Sequence, residues 1–323
     1  MRLFSTARYF FSSMNFYASK IPENNFYTKL DMFWCALRYG ASPSNFYHFC
    51  FSEAAGSQRK TYTTHRISQQ LIKKYNRSSD TRFFSNKYLF SQRFREFYGR
   101  TCFLSEELTP ENFNALTSST SKLIYKPLEG GQGGGIQVYN LLFDDGSSVY
   151  QKIKHSAPGI VEPWIEQHAD MSLLYPHAVN PIRVQSITRD GVCYCLAATL
   201  TVGHHTDIAN ASSKAIFALI DIDTGIVYTN GIDYDGNLYP SHPETKVTFP
   251  GYQIPFWREV LLLLKKAGTI VPNGGYVGWD IAITPTGPIL IEGNHDPGYT
   301  AYQLPNLTKS HQGTYPLFKP FLM

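Results

Sequence analysis

Residues 276–298 read YVGWDIAITPTGPILIEGNHDPG and set an Asp and a Glu on two apolar runs joined by a turn. Val277, Trp279, Ile281 and Ile283 alternate with Gly278, Asp280 and Ala282, the period of two that marks a strand. Thr284 to Pro288 is turn chemistry, and Ile289 to Asn294 reads as the returning strand. If Ile283 pairs with Ile289, the same register sets Asp280 opposite Glu292. Opposed residues hold their Cβ atoms about 4.5–5.5 Å apart, where like charges repel. Asn294 shares the face of Glu292, two residues along, above a floor of Gly278 and Ala282. Everything here depends on register, because a one-residue slip sends each side chain to the other face. Two carboxylates and an amide oxygen on one small volume form a ligand set for a hard divalent cation such as Mg²⁺. Two solvated carboxylates on an exposed hairpin are the competing reading, and for a hairpin taken alone the commoner one.

The bulk composition narrows the function classes. A chain of 323 residues can bury a large core and form two or three lobes. With 43% hydrophobic and 17% charged residues it is globular, and a net charge of +4 without a dense basic run gives no reason to expect nucleic acid. Five cysteines without a CxxC pair argue against a disulfide framework and a zinc site, and fit a reducing cytosol. No apolar run is long enough to span a membrane. The opening MRLFSTARYFFSSMNF has the basic, acid-free character of a transit peptide but lacks a clean apolar segment and cleavage site, so it reads as a first aromatic helix. A cytoplasmic protein is the expectation.

Along the chain, residues 1–110 are expected to be helix-rich. YTKLDMFWCALRYG and THRISQQLIKKYN have helical apolar spacing, and SNKYLFSQRFREFYGR opens on a Ser or Asn cap. From Lys122 the character changes: KLIYKP, GIQVYNLLF, SVYQKIK and GIVEPWI read as an antiparallel meander. Residues 171–323 continue with strands in NPIRVQSIT, CYCLAATLTV and AIFALIDIDTG. They also include a helix in IPFWREVLLLLKKAG, with Pro255 near its start, Leu261 to Leu264 buried and Gly268 at its end.

Five of the six residues in Gly130–Gly135 are glycine, so this backbone can approach a ligand closely. No Gly-Lys-Ser/Thr follows, which excludes a Walker A loop. The run leads into a strand rather than a helix, which excludes a dinucleotide fingerprint. What remains is a glycine-rich hairpin tip with Lys126 at the end of the preceding strand. Its backbone N–H groups and the lysine suit phosphates; a plain surface hairpin is the alternative.

In this order the segments resemble the ATP-grasp superfamily. NKYLFSQRF is similar to its first lysine segment, LIYKP with the glycine loop to its second lysine and phosphate-covering hairpin, GIVEPWIEQH to its adenine hinge, and GWDIAI…ILIEGNHDPG to its metal-binding Asp and Glu-x-Asn. VNPIRV, IDIDTG and SHPET…FPGYQIPFW resemble the sugar-transfer-associated ATP-grasp group, and the likeness runs from about Asp31 to Pro297. It implies an α+β fold: two α+β lobes with antiparallel sheets clasping the nucleotide, preceded by the helix-rich region. The divisions would be 1–110, a glycine-loop lid over 111–170, and a C-terminal subdomain over 171–323.

The resemblance also implies ATP and Mg²⁺ as cofactors. Lys87 and Lys126 would contact phosphates beneath Gly131, Gly133 and Gly134. Glu162, Trp164 and Ile165 would form the hinge, mostly through backbone atoms. Asp280, Glu292 and Asn294 would hold Mg²⁺, and Arg183 would face the transferred phosphate. Arg183 lies in an apolar strand, where a charge needs a partner. ANASSKAIF departs from the group's Asp-Asn and Gly-Gly pattern: Asn210 is kept as a catalytic candidate, Ala209 replaces the acid, and Lys214-Ala215 replace the glycines. That places the acceptor substrate in question more than ATP. The implied activity is ADP-forming ligation of a small-molecule carboxylate and an amine through an acyl phosphate, on a sugar or a surface-polysaccharide precursor. The alternatives are a kinase using the same nucleotide site and a nucleotide-binding regulatory protein without turnover. Neither the acid, the amine nor the oligomeric state is legible.

Overall fold

The computed structural model describes the chain except residues 1, 23–25, 129–133, 207–208, 210–214, 272–274 and 309–310. The chain forms two units, one made of residues 1–75 with 298–323 and the other of residues 76–297. The expected subdomains 1–110, 111–170 and 171–323 stand as a proposal beside this partition.

The first unit is helical. Helix α1 (Arg2–Ala18) and helix α2 (Phe26–Tyr39) pack Met14, Ala18, Met32 and Cys35 onto Phe46, Phe49, Phe51 and Tyr62. Returning chain is tied in by a buried amide: Gln303 accepts from the Thr63 N–H at 3.0 Å and donates to the Thr63 carbonyl at 2.8 Å. The two ends of this unit are thus joined by satisfied polar groups as well as by apolar burial.

The second unit holds two antiparallel sheets. The four-stranded sheet comprises β1 (Phe103–Leu104), β2 (Lys122–Pro127), β3 (Gln137–Asn140) and β4 (Gly159–Pro163), in the order β1-β4-β2-β3. The seven-stranded sheet comprises β5 (Ile182–Arg189), β6 (Val192–Val202), β7 (Ile216–Ile220), β8 (Gly231–Ile232), β9 (Leu238–Tyr239), β10 (Tyr276–Thr284) and β11 (Gly287–Asn294). Its order is β11-β10-β5-β6-β7-β8-β9. Strand β10 is internal, and eight of its nine residues are buried, so the sheet is covered on both faces along it.

SVYQKIK, expected as a strand, is instead part of the helix Gly146–Lys154. Asp145 accepts from the Ser148 N–H at 2.8 Å and caps it, while Val149 and Ile153, four apart, are its buried residues. The helix Trp257–Ala267 forms as expected with Gly268 at its end, but Leu262 faces outward while Leu263 and Leu264 are buried.

Candidate functional site

Three adjacent strands each contribute one charged residue to a single row. Asp280 on β10 lies opposite Glu292 on β11 and opposite Arg183 on β5. Arg183 grips both oxygens of Asp280: Nε donates to Oδ1 at 2.5 Å and Nη2 donates to Oδ2. A parallel two-bond fork of this kind is the strongest common carboxylate contact. Asn294 follows on the same strand as Glu292, its Nδ2 3.4 Å from Glu292 Oε1.

The expected pairing of Ile283 with Ile289 does not occur. Ile283 faces Pro288, and Ala282 faces Ile289. The ladder shifts between Asp280 and Ile281, where Leu290 pairs with Ile281 and Glu292 with Asp280, so Ile291 is an extra residue on β11. This bulge restores the opposition of the two carboxylates that the turn-end register alone would lose. Gly278 does not open the floor, because a Cβ there would lie 2.9 Å from Pro297 Cβ.

A second cluster centres on Glu162, fully buried on β4. Lys126 Nζ, from β2, donates to its Oε1 at 2.5 Å. Arg100 brings Nε to 3.0 Å from Oε2 and Nη2 to 3.2 Å from Oε1, and the Tyr98 hydroxyl also donates to Oε2. Burial alone would raise this carboxyl, but Arg100 and then Lys126 outweigh it and hold the pKa at about 2. Arg100 Nη1 also donates to the Leu290 carbonyl at 2.9 Å, so one guanidinium ties Glu162 of the smaller sheet to the bulged strand of the larger.

The two clusters act on each other electrostatically. Burial, then Asp280, raises the Glu292 carboxyl, while Arg183, Lys126 and Lys87 oppose the shift. Lys87 heads the helix Lys87–Arg93, capped by Asn86, which accepts from the Leu89 N–H at 2.9 Å. Burial lowers the Lys87 pKa, and Glu292 and Glu162 resist. Lys87, Lys126, Glu162, Arg183, Asp280, Glu292 and Asn294 therefore belong to one neighbourhood, although they come from five strands and a helix.

The remaining predicted residues fall as follows. The Trp164 N–H donates to the Lys122 carbonyl at 2.9 Å just beyond β4, and Ile165 beside it is buried. Gly134 is exposed in the turn before β3. Gly131, Gly133 and Asn210 lie outside the described residues. Sequence reasoning passed over Tyr98 and Arg100. Their signal was the intervening Gly99, which adopts φ +65° and where a Cβ would sit 2.5 Å from Ile289 Cγ2.

Asp280, Glu292 and Asn294 fit a hard divalent cation: two facing carboxylates supply oxygens, and each oxygen engaged by Arg183 keeps a further lone pair. The raised Glu292 carboxyl marks a charge that a cation would relieve. A separate trio, His204, His205 and Glu244, places ligand atoms within 4.8 Å of one another, a softer donor set than the oxygen row. The surface groove lined by Glu96, Phe97, Glu259, Leu262, Lys266 and Ile289 contains none of the clustered residues.

Two antiparallel sheets thus carry one group of lysines, an arginine and carboxylates. The chain belongs to the sugar-transfer associated ATP-grasp family, whose model matches residues 66–312. No curated protein matches it. Among solved structures it is similar to the ATP-grasp ligase PsnB bound to a phosphomimetic precursor variant, Mg and ADP (14% identity, 76% of this chain, 60% of that one, TM-score 0.46). It is also similar to the D-alanine–D-alanine ligases of Coxiella burnetii (12%, 75% and 57%, TM-score 0.46) and of Bacillus anthracis with ATP (13%, 82% and 74%, TM-score 0.47). The chain spans about three-fifths of the PsnB ligase, and these likenesses concern the fold.

Proposed function

We propose that the protein is an ATP-dependent, ADP-forming ligase that joins a small-molecule carboxylate to an amine, with a sugar-linked compound as one substrate. The sugar rests on the family's association with sugar transfer. The observation that carries the ligase reading is the grouping of three cations, Lys87, Lys126 and Arg183, around Asp280 and Glu292. Moving a phosphoryl group is chiefly a matter of positioning and of neutralising spread negative charge, which such a group supplies.

In this reading the substrate carboxylate oxygen bonds to the γ-phosphorus as the bond to ADP breaks. The amine nitrogen then bonds to the acyl carbon, phosphate leaves, and the nitrogen gives up a proton. Lys87 and Lys126 orient the phosphates beneath the glycine loop, and Arg183 faces the group in transfer. Glu162 keeps Lys126 in place, and Trp164 with Ile165 lines the base. Asn210 is assigned to the acceptor side. Asp280, Glu292 and Asn294 would hold Mg²⁺, which supplies charge neutralisation to the triphosphate.

Hydroxylamine tests the reaction class. With ATP, Mg²⁺ and a competent acid, a ligase yields the hydroxamate without the natural amine, and Lys126→Ala or Arg183→Ala suppresses it. A phosphorylated sugar without hydroxamate, from acids that demonstrably bind, would replace the ligase with a kinase.

A further inference from the structure

Helix α2 is apolar on both sides. One side, with Met32 and Cys35, is buried in the core of its unit. The opposite side carries Phe26, Tyr27, Leu30, Phe33, Trp34 and Leu37, spaced as one helical stripe, and all six are exposed. Phe26 is 71% exposed, Tyr27 77%, Trp34 57% and Leu37 59%, values far above those of residues sealed by a neighbouring element. Helix α1, packed beside α2, adds exposed Tyr9, Phe11 and Phe16. A run of large side chains on one helix face is not scattered surface apolarity, and it needs an occupant.

Charge selects that occupant. Lys29 and Arg38 lie on the two edges of the stripe, and Lys20 sits 4.7 Å over the Phe16 ring. Asp31, the acid on this helix, is bound by Arg59 at 2.7 Å, so it does not offset them. Across residues 1–75 and 298–323 there are twelve Lys and Arg against three Asp and Glu, a net charge of +9, while residues 76–297 carry −5. A second copy seated on this face would bring two such basic units together. A bilayer with anionic headgroups offers the opposite charge, and its interfacial zone is where Trp and Tyr rings with basic neighbours concentrate. Among the described residues no helix is long and apolar enough to cross a membrane, so the fitting geometry is a helix lying in the plane of the surface.

We propose that α2, flanked by α1, docks the protein peripherally on anionic lipid bilayers. Phe26, Tyr27, Leu30, Phe33, Trp34 and Leu37 enter the interface, and the surrounding lysines and arginines meet the headgroups. The inference is independent of the ligase assignment.

Vesicle flotation of the full chain tests it, using phosphatidylcholine alone and phosphatidylcholine mixed with phosphatidylglycerol. The wild type is expected to float with the mixed vesicles and to lose most of that binding at high salt. The variant Leu30→Gln/Trp34→Gln/Leu37→Gln should bind about tenfold less or weaker, given what burial of such side chains contributes. Lys20→Gln/Arg38→Gln should narrow the preference for the anionic mixture. Brominated lipid gives a readout on the wild type itself. Trp34 is the most exposed tryptophan, its emission should be quenched, and Trp34→Phe should abolish that quenching. Absence of wild-type flotation, equal flotation of the triple variant, or a soluble dimer that the triple variant dissolves would each overturn the proposal.

Discussion

Arg183 holds both carboxylate oxygens of Asp280 from the adjoining strand, while Glu292 faces Asp280 from the other side. The guanidinium is thus the protein's own counter-charge to two opposed acids. Replacing it should cost about 1–3 kcal/mol, below the usual loss for a fully buried pair because Arg183 is about a third exposed. Urea unfolding of Arg183→Leu should show this, and ADP release should fall by about 10²–10³. Unchanged unfolding and turnover would remove Arg183 from the account.

Glu292 should make the protein's response to Mg²⁺ visible without substrate. Its carboxyl is raised in the folded state, so more protons are bound folded than unfolded above the usual carboxylate range. Stability of the metal-free protein should therefore fall as pH rises through that window. Glu292→Gln should remove this fall and raise metal-free stability near neutrality. Mg²⁺ should raise the melting temperature of the wild type and leave that of the variant unchanged. An unaltered Mg²⁺ response in the variant would show that the ion binds elsewhere.

Glu162 carries the opposite sign. With a folded pKa of about 2 against 4.5, it contributes stability that is complete above the unfolded value and lost as pH falls from 4.5 towards 2. The contribution is on the order of 3 kcal/mol. Glu162→Gln should lose that acid-sensitive part. At neutral pH it should also be destabilised by about 3–5 kcal/mol, because Arg100 and Lys126 stay buried without their anion. Chemical unfolding at neutral and acid pH checks both statements, and a variant with the wild-type acid dependence would contradict them.

Gly99 links helix to site. At φ +65° it ends the helix Arg95–Tyr98, and a methyl group there would strike Ile289. Gly99→Ala should cost about 1–2 kcal/mol for the left-handed backbone, with the steric clash in addition. Because Tyr98 and Arg100 flank it and both hold Glu162, nucleotide affinity should weaken with stability. A stable variant with unaltered affinity would show that this turn does not position the cluster.

The opposition of Asp280 and Glu292 was legible in alternating apolar residues, but the pairing of Ile283 with Ile289 used to reach it was not the real one. Two deviations of one residue cancelled: a tighter turn and the extra Ile291. Local sequence holds no mark of such a bulge, since Ile291 is as β-prone as its neighbours and its placement depends on contacts from outside the hairpin. The helix Gly146–Lys154 was hidden for a related reason. Val and Ile in SVYQKIK suit a strand locally, and the Asp145 cap with the four-residue spacing of Val149 and Ile153 decides otherwise. Lys126 and Glu162 were both legible as candidates. Their contact was not, because it joins residues 36 apart through the pairing of β2 with β4.

That contact bears on how tightly any phosphate can be held. Lys126 already has an anion, fixed in the interior at 2.5 Å and braced by two other donors. A nucleotide that recruits this lysine competes with a resident rival rather than with water, and the rival cannot diffuse away. Part of the attraction is cancelled before binding begins. Selectivity then favours ligands with several charges, which can engage Lys87 and Arg183 at once, over a lone phosphate that meets only a lysine whose charge Glu162 already offsets.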